Sequence, residues 1–311
     1  MIKENIYEIK SIYRDDLRVT GYKFGSGDKA ACIIGAMRGN EIQQLYSCSQ
    51  LIRELEVLEK NGSIAKNKEI LVIPSINHYS MNIGKHFWSV DNSDINRTYP
   101  GNAEGETTQR IAAGIFEKIQ GYNYGIQFAS FYMRGDFAPH IRMMATGHQN
   151  IGLANLFGLP FVVLRTPKPY DTTTLNYNWQ FSGTNAFSIY TNQTTEIDEQ
   201  SAKQASRSII RFLTRMGIIR YNIHGGYISS TIKEDELKSI KSKKSGFYRR
   251  FKNPGDEVCV GELIAEITHP YEGHVVEQVF SSMEGLIFFA HHDPLVMSDT
   301  VLFKIAKKLH E

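Results

Sequence analysis

The segment from Ile33 to Glu41 constrains the fold of this chain more than any other. An apolar run ends at Gly35-Ala36-Met37 and passes through the polar turn Arg38-Gly39-Asn40 into a segment with helical spacing. An apolar, β-rich run followed by such a turn and an amphipathic helix is typical of a strand-to-helix corner in an α/β sheet. Sites in these folds lie at the carboxyl ends of the strands. We therefore expect this turn to line a site.

Strands and helices are predicted to alternate over the first 216 or so residues. The apolar runs predict strands at residues 29–35, 69–74, 124–130, 161–165 and 186–191, and helical spacing predicts helices at 41–60, 107–120, near 150–156 and at 196–216. Residues 75–101 and 167–185 are expected to form long polar loops. This alternation predicts an α/β fold with a mixed, mostly parallel sheet and helices on both faces.

The last third of the chain has a different pattern. Turn signals recur at Pro254-Gly255, Glu272-Gly273, Glu284-Gly285 and Asp293-Pro294, with no long helical pattern between them. We therefore expect a small all-β domain and divide the chain into residues 1–220, an α/β domain, and 221–311, a β-rich capping domain. A basic segment at 238–252 near this boundary is interpreted as a solvated linker or a strand edge, with nucleic-acid binding as the alternative.

Composition narrows the classes of partner. With 311 residues and a net charge of +2, the chain is expected to be an ordinary globular protein without general affinity for nucleic acid or membranes. No signal-peptide pattern is present at the start, so a cytoplasmic location is expected. Cys32, Cys48 and Cys259 have neither metal-site nor disulfide-framework spacing and are interpreted as small apolar residues. The ligand is expected to be small.

Two motifs support a family resemblance. Gly39-Asn40-Glu41 and Asp94-Ile95-Asn96-Arg97-Thr98-Tyr99-Pro100-Gly101 resemble signatures of the aspartoacylase and succinylglutamate desuccinylase family, relatives of the zinc carboxypeptidases. The resemblance implies a zinc carboxypeptidase-like fold and zinc-dependent deacylation of N-acyl amino acids. It also implies that Asn96 and Arg97 bind the substrate carboxylate, for which an amide and a planar guanidinium are well suited. The alternative is that Arg97 caps a loop or pairs with Asp94.

Two further substrate-binding positions follow from the same resemblance. They are His86, which replaces a family arginine, and Arg142, which lies in a segment similar to the family's Pro-His-x-Arg. Three other positions depart from the family's pattern: Arg38 and Gln127 replace two zinc histidines, and Tyr190 replaces the glutamate that activates water. Of the family's metal ligands and general base, Glu41 alone remains.

These replacements change the expected chemistry. Arginine has no lone pair to offer a metal, a glutamine amide is a poor zinc donor, and a phenol is a poor general base at neutral pH. No cofactor is therefore expected, although zinc is the family cofactor. We expect Arg38 to pair with Glu41 in place of the ion, and Gln127 to donate a hydrogen bond across the gap.

Two functions remain open. The first is a metal-free, catalytically impaired binder of a small carboxylate-bearing molecule such as an acyl amino acid. It would have a regulatory role as a homo-oligomer or beside an intact homologous subunit. The second is an active metal-dependent amidohydrolase that uses relocated ligands, for which the candidates are His78, His86, His140, His148 and His224.

Overall fold

The computed structural model describes residues 1–12, 15–131 and 133–307. Within these ranges it contains eighteen strands. They are β1 (Ile2–Ile9), β2 (Leu17–Gly25), β3 (Asp28–Ala36), β4 (Lys68–Ser75), β5 (Tyr124–Ala129), β6 (Gly135–Phe137), β7 (His140–Met144), β8 (Phe161–Arg165), β9 (Asn185–Tyr190), β10 (Ser230–Lys233), β11 (Lys238–Lys241), β12 (Gly246–Arg250), β13 (Glu257–Val258), β14 (Leu263–Thr268), β15 (Val275–Phe280), β16 (Gly285–His291), β17 (Leu295–Val296) and β18 (Val301–Ala306).

The largest sheet has nine strands among the described residues, in the order β1-β2-β4-β3-β5-β9-β7-β8-β10. Strands β4, β3, β5 and β9 are parallel to one another, as are β7, β8 and β10. Antiparallel pairing joins β1 to β2, β2 to β4, and β9 to β7. The predicted mixed, mostly parallel sheet is confirmed.

Helices cover both faces of this sheet. The helices are α1 (Ile42–Lys60), α2 (His78–Met81), α3 (Thr107–Ile119), α4 (Ile151–Asn155), α5 (Leu175–Phe181) and α6 (Glu199–Arg215). Helix α1 buries Cys48, Leu51, Leu55 and Leu58 in the same core as the apolar side of α6. Because these residues recur every three or four positions, they form one stripe that faces the sheet. Helices α3 and α5 contribute to a second core on the other face, which includes Ile111, Ile115 and Trp179.

The C-terminal strands form two further sheets. One has the order β11-β18-β16-β13, and the other has the order β15-β14-β12-β17. Two strands cross between these parts of the chain: β6 pairs with β16, and β10 adds to the large sheet beside β8. Phe137, Phe161, Phe288 and Phe289 pack together where they meet. The C-terminal sheets are thereby packed beside β8.

Several elements differ from the sequence-based expectations. Strands β1 and β2 lie in the polar start, β7 lies in a stretch expected to be irregular, and α5 lies inside the expected loop at 167–185. The loop at 75–101 contains α2 and a 3-10 turn at Ile95–Arg97. Most of these elements are short or have one polar face, so their sequences lack a continuous apolar run, and tertiary pairing determines their conformation.

The basic segment at 238–252 forms strands rather than a free linker. Arg249 pairs with Glu266 at 3.0 Å, and Arg250 and Lys252 pair with Asp136 and Glu262. Strand β11 lies at an edge of its sheet, whereas β12 lies inside the other. Three of the segment's cations are thus bound by carboxylates of this chain.

Two smaller expectations can also be compared with the fold. Cys32 and Cys48 are fully buried, as expected of small apolar residues, whereas Cys259 is exposed. None of the helices in the described part of the chain is long and apolar enough to cross a bilayer.

Candidate functional site

The turn after β3 encloses the carboxylate of Glu41. Gly39 is required in this turn because a Cβ there would lie 2.3 Å from the carbonyl oxygen of Lys85. The chain then folds back so that the backbone N–H groups of Met37 and Arg38 donate to Oε2 of Glu41, at 2.8 and 3.1 Å. The predicted strand-to-helix corner is present, and its acidic side chain points inward with 1% exposure.

Arg38 occupies the space between two buried carboxylates. Its Nη1 donates to Oε1 of Glu41 at 3.1 Å, while Nε and Nη2 donate to the two oxygens of Asp94 at 3.0 and 2.8 Å. Ser130 donates its hydroxyl to the same Oε1 of Glu41. Arg38 is only 4% exposed, so water screens its charge little at these short distances from the two carboxylates. The expected Arg38–Glu41 pair is present, and Asp94 completes it.

Gln127 donates a hydrogen bond from its amide to Oδ1 of Asn96 at 3.2 Å and contacts the sulfur of Met37 at 3.4 Å. A hydrogen bond from Gln127 was expected, although the sequence did not identify its acceptor. The sequence also did not identify Ser130, which follows β5 immediately and donates to Glu41.

Beside this ion-pair cluster lies a cavity of about 270 Å³. Six of the residues singled out from the sequence line it, namely Arg38, Asn96, Arg97, Gln127, Arg142 and Tyr190. No described residue accepts a hydrogen bond from Nδ2 of Asn96, whose Oδ1 already accepts from Gln127. The Asn96 amide is therefore available to donate to a ligand oxygen.

Arg97 lines the cavity but is also bound by the protein. It donates to the carbonyl oxygen of Tyr170 at 3.0 Å and stacks on the Tyr170 ring at 5.0 Å. Its guanidinium lies 3.6 Å from Asp94 and 3.9 Å from Asp171, and 29% of its side chain is exposed. The alternative in which Arg97 pairs with Asp94 thus describes one of its contacts. These contacts orient the guanidinium at the cavity wall.

Tyr190 and Arg142 form the opposite wall. Arg142 donates from Nη1 to the Tyr190 hydroxyl at 3.1 Å, and the Tyr190 ring is stacked on His140 with centroids 4.8 Å apart. His140 is fully buried, its Nδ1 donates to the carbonyl oxygen of Ala138 at 2.8 Å, and burial lowers its pKa to about 3. The Tyr190 hydroxyl therefore accepts from a permanent cation, and its ring packs on a neutral imidazole.

Four further charged residues of the cavity were missed from the sequence, namely Arg165, Asp171, Glu234 and Lys304. Glu234 accepts hydrogen bonds from Arg142 and Arg165, each at 2.9 Å, and Lys304 lines the same cavity. Glu234 follows β10 and Lys304 lies on β18, so both come from the C-terminal part of the chain. No motif marks them, because only the pairing of β10 with β8 and the packing of the C-terminal sheets bring them here.

The candidate histidines do not converge on one point. Nδ1 of His86 contacts Oδ1 of Asn40 at 2.8 Å, outside the cavity lining, and burial and then Arg38 lower its pKa. His148 and His224 are exposed, and His140 is buried behind Tyr190. Among the described residues, no group of three or more His, Cys, Asp or Glu side chains is arranged to hold a metal.

A second, larger groove lies elsewhere on the molecule. It has a volume of about 1050 Å³ and lies between α1, α6 and residues 221–227. It contains His224 but none of the other residues selected from the sequence. We therefore place the candidate site at the smaller cavity beside Arg38.

Comparisons with known proteins agree with this fold. Residues 28–216 match the model of the succinylglutamate desuccinylase/aspartoacylase catalytic domain. The chain belongs to this family. A search of curated proteins found no match. This member of the succinylglutamate desuccinylase/aspartoacylase family is nevertheless similar in fold to several solved structures, all at low sequence identity.

Three of these structures illustrate the similarity. A succinylglutamate desuccinylase from Silicibacter sp. has a TM-score of 0.78 at 16% identity, covering 97% of this chain and 92% of that one. The product-bound ectoine utilization protein EutE (DoeB) from Ruegeria pomeroyi has a TM-score of 0.76 at 16% identity, covering 94% and 90%. An aspartoacylase family protein from Mesorhizobium loti has a TM-score of 0.75 at 18% identity, covering 97% and 93%.

The family's zinc does not fit the side chains of this site. Both oxygens of Glu41 are engaged by four donors, namely two backbone N–H groups, the Arg38 guanidinium and the Ser130 hydroxyl. A catalytic zinc requires neutral imidazoles or carboxylates with free lone pairs, and a guanidinium offers none. Displacing Arg38 would also remove the two-point ion pair of the buried Asp94 carboxylate. The side chains at this turn thus bind an arginine and do not provide the ligands that a divalent metal needs.

Proposed function

We propose that this family member is a metal-free, catalytically impaired binder of a small carboxylate-bearing molecule such as an acyl amino acid. The observation that carries the proposal is the Arg38 guanidinium, which binds Glu41 and Asp94 at distances between 2.8 and 3.1 Å. An internal cation supplies the positive charge that a metal would supply, but it cannot lower the pKa of a bound water as zinc does.

The charges around the cavity support an anionic ligand. Its lining carries five cationic side chains and two carboxylates: Arg38, Arg97, Arg142, Arg165, Lys304, Asp171 and Glu234. Counting Glu41 and Asp94, which bind Arg38, four carboxylates match the four arginines, and Lys304 adds an excess positive charge whenever it is protonated. A carboxylate ligand would balance this charge, and Asn96 and Arg97 provide neutral and charged donors for it.

Tyr190 supports the loss of catalysis. Its hydroxyl accepts a hydrogen bond from Arg142, and no carboxylate stands at this position to take a proton from an attacking water. We further propose a regulatory role in the cytoplasm, as a homo-oligomer or beside an intact homologous subunit. A protein that binds a ligand without converting it can still respond to the concentration of that ligand.

Calorimetric titration with N-acetyl-L-glutamate tests the binding. We expect saturable binding that does not change when EDTA or zinc is added, with no release of acetate in either condition. Arg97→Gln and Asn96→Ala should each weaken binding by about tenfold or more, since each removes a hydrogen bond to a charged group. Arg134→Gln is the matched control, because Arg134 is an exposed arginine paired with Asp293.

Metal content separates the two functions that the sequence left open. Protein purified without a chelator or a metal-affinity tag should contain far less than one zinc per chain by elemental analysis. Stoichiometric zinc together with metal-dependent acetate release would contradict the proposal and establish a hydrolase with relocated ligands. Absence of binding to any N-acyl amino acid would contradict the ligand class.

A further inference from the structure

Lys304 differs from the other cations of the cavity in lacking a carboxylate partner. Arg142 and Arg165 both donate to Glu234, and Arg165 also donates to Asp171 at 3.0 Å. Across the described chain, the Lys304 ammonium makes no hydrogen bond or ion pair with another side chain, although its side chain lines the cavity. Its position is set by β18, where Lys304 pairs with Ser239 of β11 and Phe289 of β16.

The surroundings of Lys304 favour its neutral form. Burial lowers the pKa of the amine, and the nearby guanidinium groups of Arg142 and Arg165 lower it further, while Glu234 acts in the opposite direction. The charged groups that face Lys304 are thus Arg142 on β7, Arg165 on β8 and Glu234 in the turn after β10. Glu234 binds both arginines at 2.9 Å and makes no ion pair with Lys304, and burial has the largest influence on the amine.

An amine in such a place is a candidate nucleophile. Lysines become nucleophilic near neutral pH when they are desolvated or placed next to other cations, because a larger fraction then carries a free lone pair. The reaction also requires access to a ligand, and the cavity of about 270 Å³ provides room for a small molecule in contact with Lys304. Both conditions are met at this one lysine of the cavity.

We propose that Lys304 forms a reversible imine with the carbonyl group of a small aldehyde or 2-oxo acid. The Nζ lone pair attacks the carbonyl carbon, and the oxygen takes a proton to give a carbinolamine. Loss of that oxygen as water then leaves a C=N bond to Nζ. The step is a condensation, so no oxidant or reductant is consumed, and hydrolysis reverses it.

The reaction is distinct from deacylation and from carboxylate binding. It uses a residue of the C-terminal sheets that takes no part in the Arg38 cluster. Preference for carbonyl compounds that also carry a carboxylate would rest on the proposed function, because it requires Asn96 and Arg97. The reactivity of the amine itself does not depend on the proposed function.

Reductive trapping with two probes tests the proposal. Folded protein is incubated with cyanoborohydride and either formaldehyde, which carries no charge, or glyoxylate, which carries a carboxylate, and labelling of each lysine is followed by peptide mass mapping. We expect Lys304 to be labelled by formaldehyde at least several-fold faster than Lys307, an exposed lysine three residues along the chain, because a larger fraction of the Lys304 amine carries a free lone pair. Equal or slower labelling of Lys304 overturns the proposal.

Variants separate this result from that of the carboxylate site. Lys304→Arg removes the nucleophile, so labelling of the corresponding peptide should be lost. Lys307→Arg should leave the labelling rate of Lys304 unchanged. If Arg97→Gln abolishes the preference for glyoxylate but leaves formaldehyde labelling fast, the anion site and the nucleophile act independently. If formaldehyde labelling of Lys304 is slow while N-acetyl-L-glutamate still binds, only the nucleophile is contradicted.

Discussion

Arg38 and Asp94 form a two-point ion pair, with Nε and Nη2 of the arginine 3.0 and 2.8 Å from the two carboxylate oxygens. The two residues are 56 positions apart in the chain, and 5% and 7% of their side chains are exposed. A planar guanidinium matches a carboxylate in this geometry, whereas a lysine would contact it at one point. The pair joins the turn after β3 to the segment that carries Asn96 and Arg97.

Removal of the Arg38 guanidinium should strongly destabilise the protein. Arg38→Met would remove the cation that binds the buried carboxylates of Glu41 and Asp94 at 2.8 to 3.1 Å, and breaking a buried ion pair typically costs about 3–5 kcal/mol. The free energy of unfolding at pH 7.5, measured by urea denaturation, gives this cost. Arg18→Met is the control, because Arg18 also lies near two carboxylates, Glu8 and Asp16, but 60% of its side chain is exposed. Its effect should be much smaller, and equal effects would show that the cluster at Arg38 is not desolvated.

The buried His140 should make stability depend on pH. Burial lowers its pKa to about 3 in the folded state, below the value of about 6.5 for an unfolded chain. Between these values the unfolded state binds more protons, so the free energy of unfolding falls as the pH falls from about 6.5 toward 3. His140→Gln should remove about 2–3 kcal/mol of the decrease between pH 7 and pH 4.5. The exposed His148→Gln should leave the pH profile of the wild type unchanged, and an identical profile for His140→Gln would contradict this account.

Glu234 should stabilise the contact between the large sheet and the C-terminal strands. It accepts hydrogen bonds from Arg142 on β7 and Arg165 on β8, and Glu234→Ala would leave both guanidinium groups short of a partner. We expect a loss of about 1–3 kcal/mol in the free energy of unfolding, measured by urea denaturation. Asp235→Ala removes an exposed carboxylate from the same turn and should have little effect. A similar loss for both variants would indicate a general effect of changing the turn rather than loss of the contacts from Glu234 to Arg142 and Arg165.

Gly101 should be indispensable at the end of the Asn96-Arg97 motif. Its φ is +91°, and a Cβ there would lie 2.2 Å from the backbone nitrogen of Ala113 on α3. Gly183 provides the control, since its φ is +85° but a Cβ would meet nothing within 4 Å. Gly183→Ala should cost only the backbone strain of about 1–3 kcal/mol, whereas Gly101→Ala should cost more because the loop must also move away from α3. Equal melting temperatures for the two variants would contradict the close approach.

Much of the α/β framework could be predicted from local patterns. The apolar runs of β3, β4, β5, β8 and β9 and the spacing in α1, α3 and α6 are properties of short windows, and each was located to within a few residues. Strands β1, β2 and β7 and helix α5 were not, because their half-polar sequences become regular only through pairing and packing with distant segments.

For the site, the order of amino acids specifies which atoms are available: a guanidinium at position 38, an amide at 127 and a phenol at 190, none of them suited to bind zinc or activate water. Which of these atoms come into contact depends on the folded arrangement of the chain. Asp94 and Ser130 reach the Arg38 cluster, and Glu234 and Lys304 reach the cavity, from positions tens to hundreds of residues away. The physical reason is that a side chain's chemistry is covalent and local, whereas its partners depend on strand order and on which end of each strand faces the next.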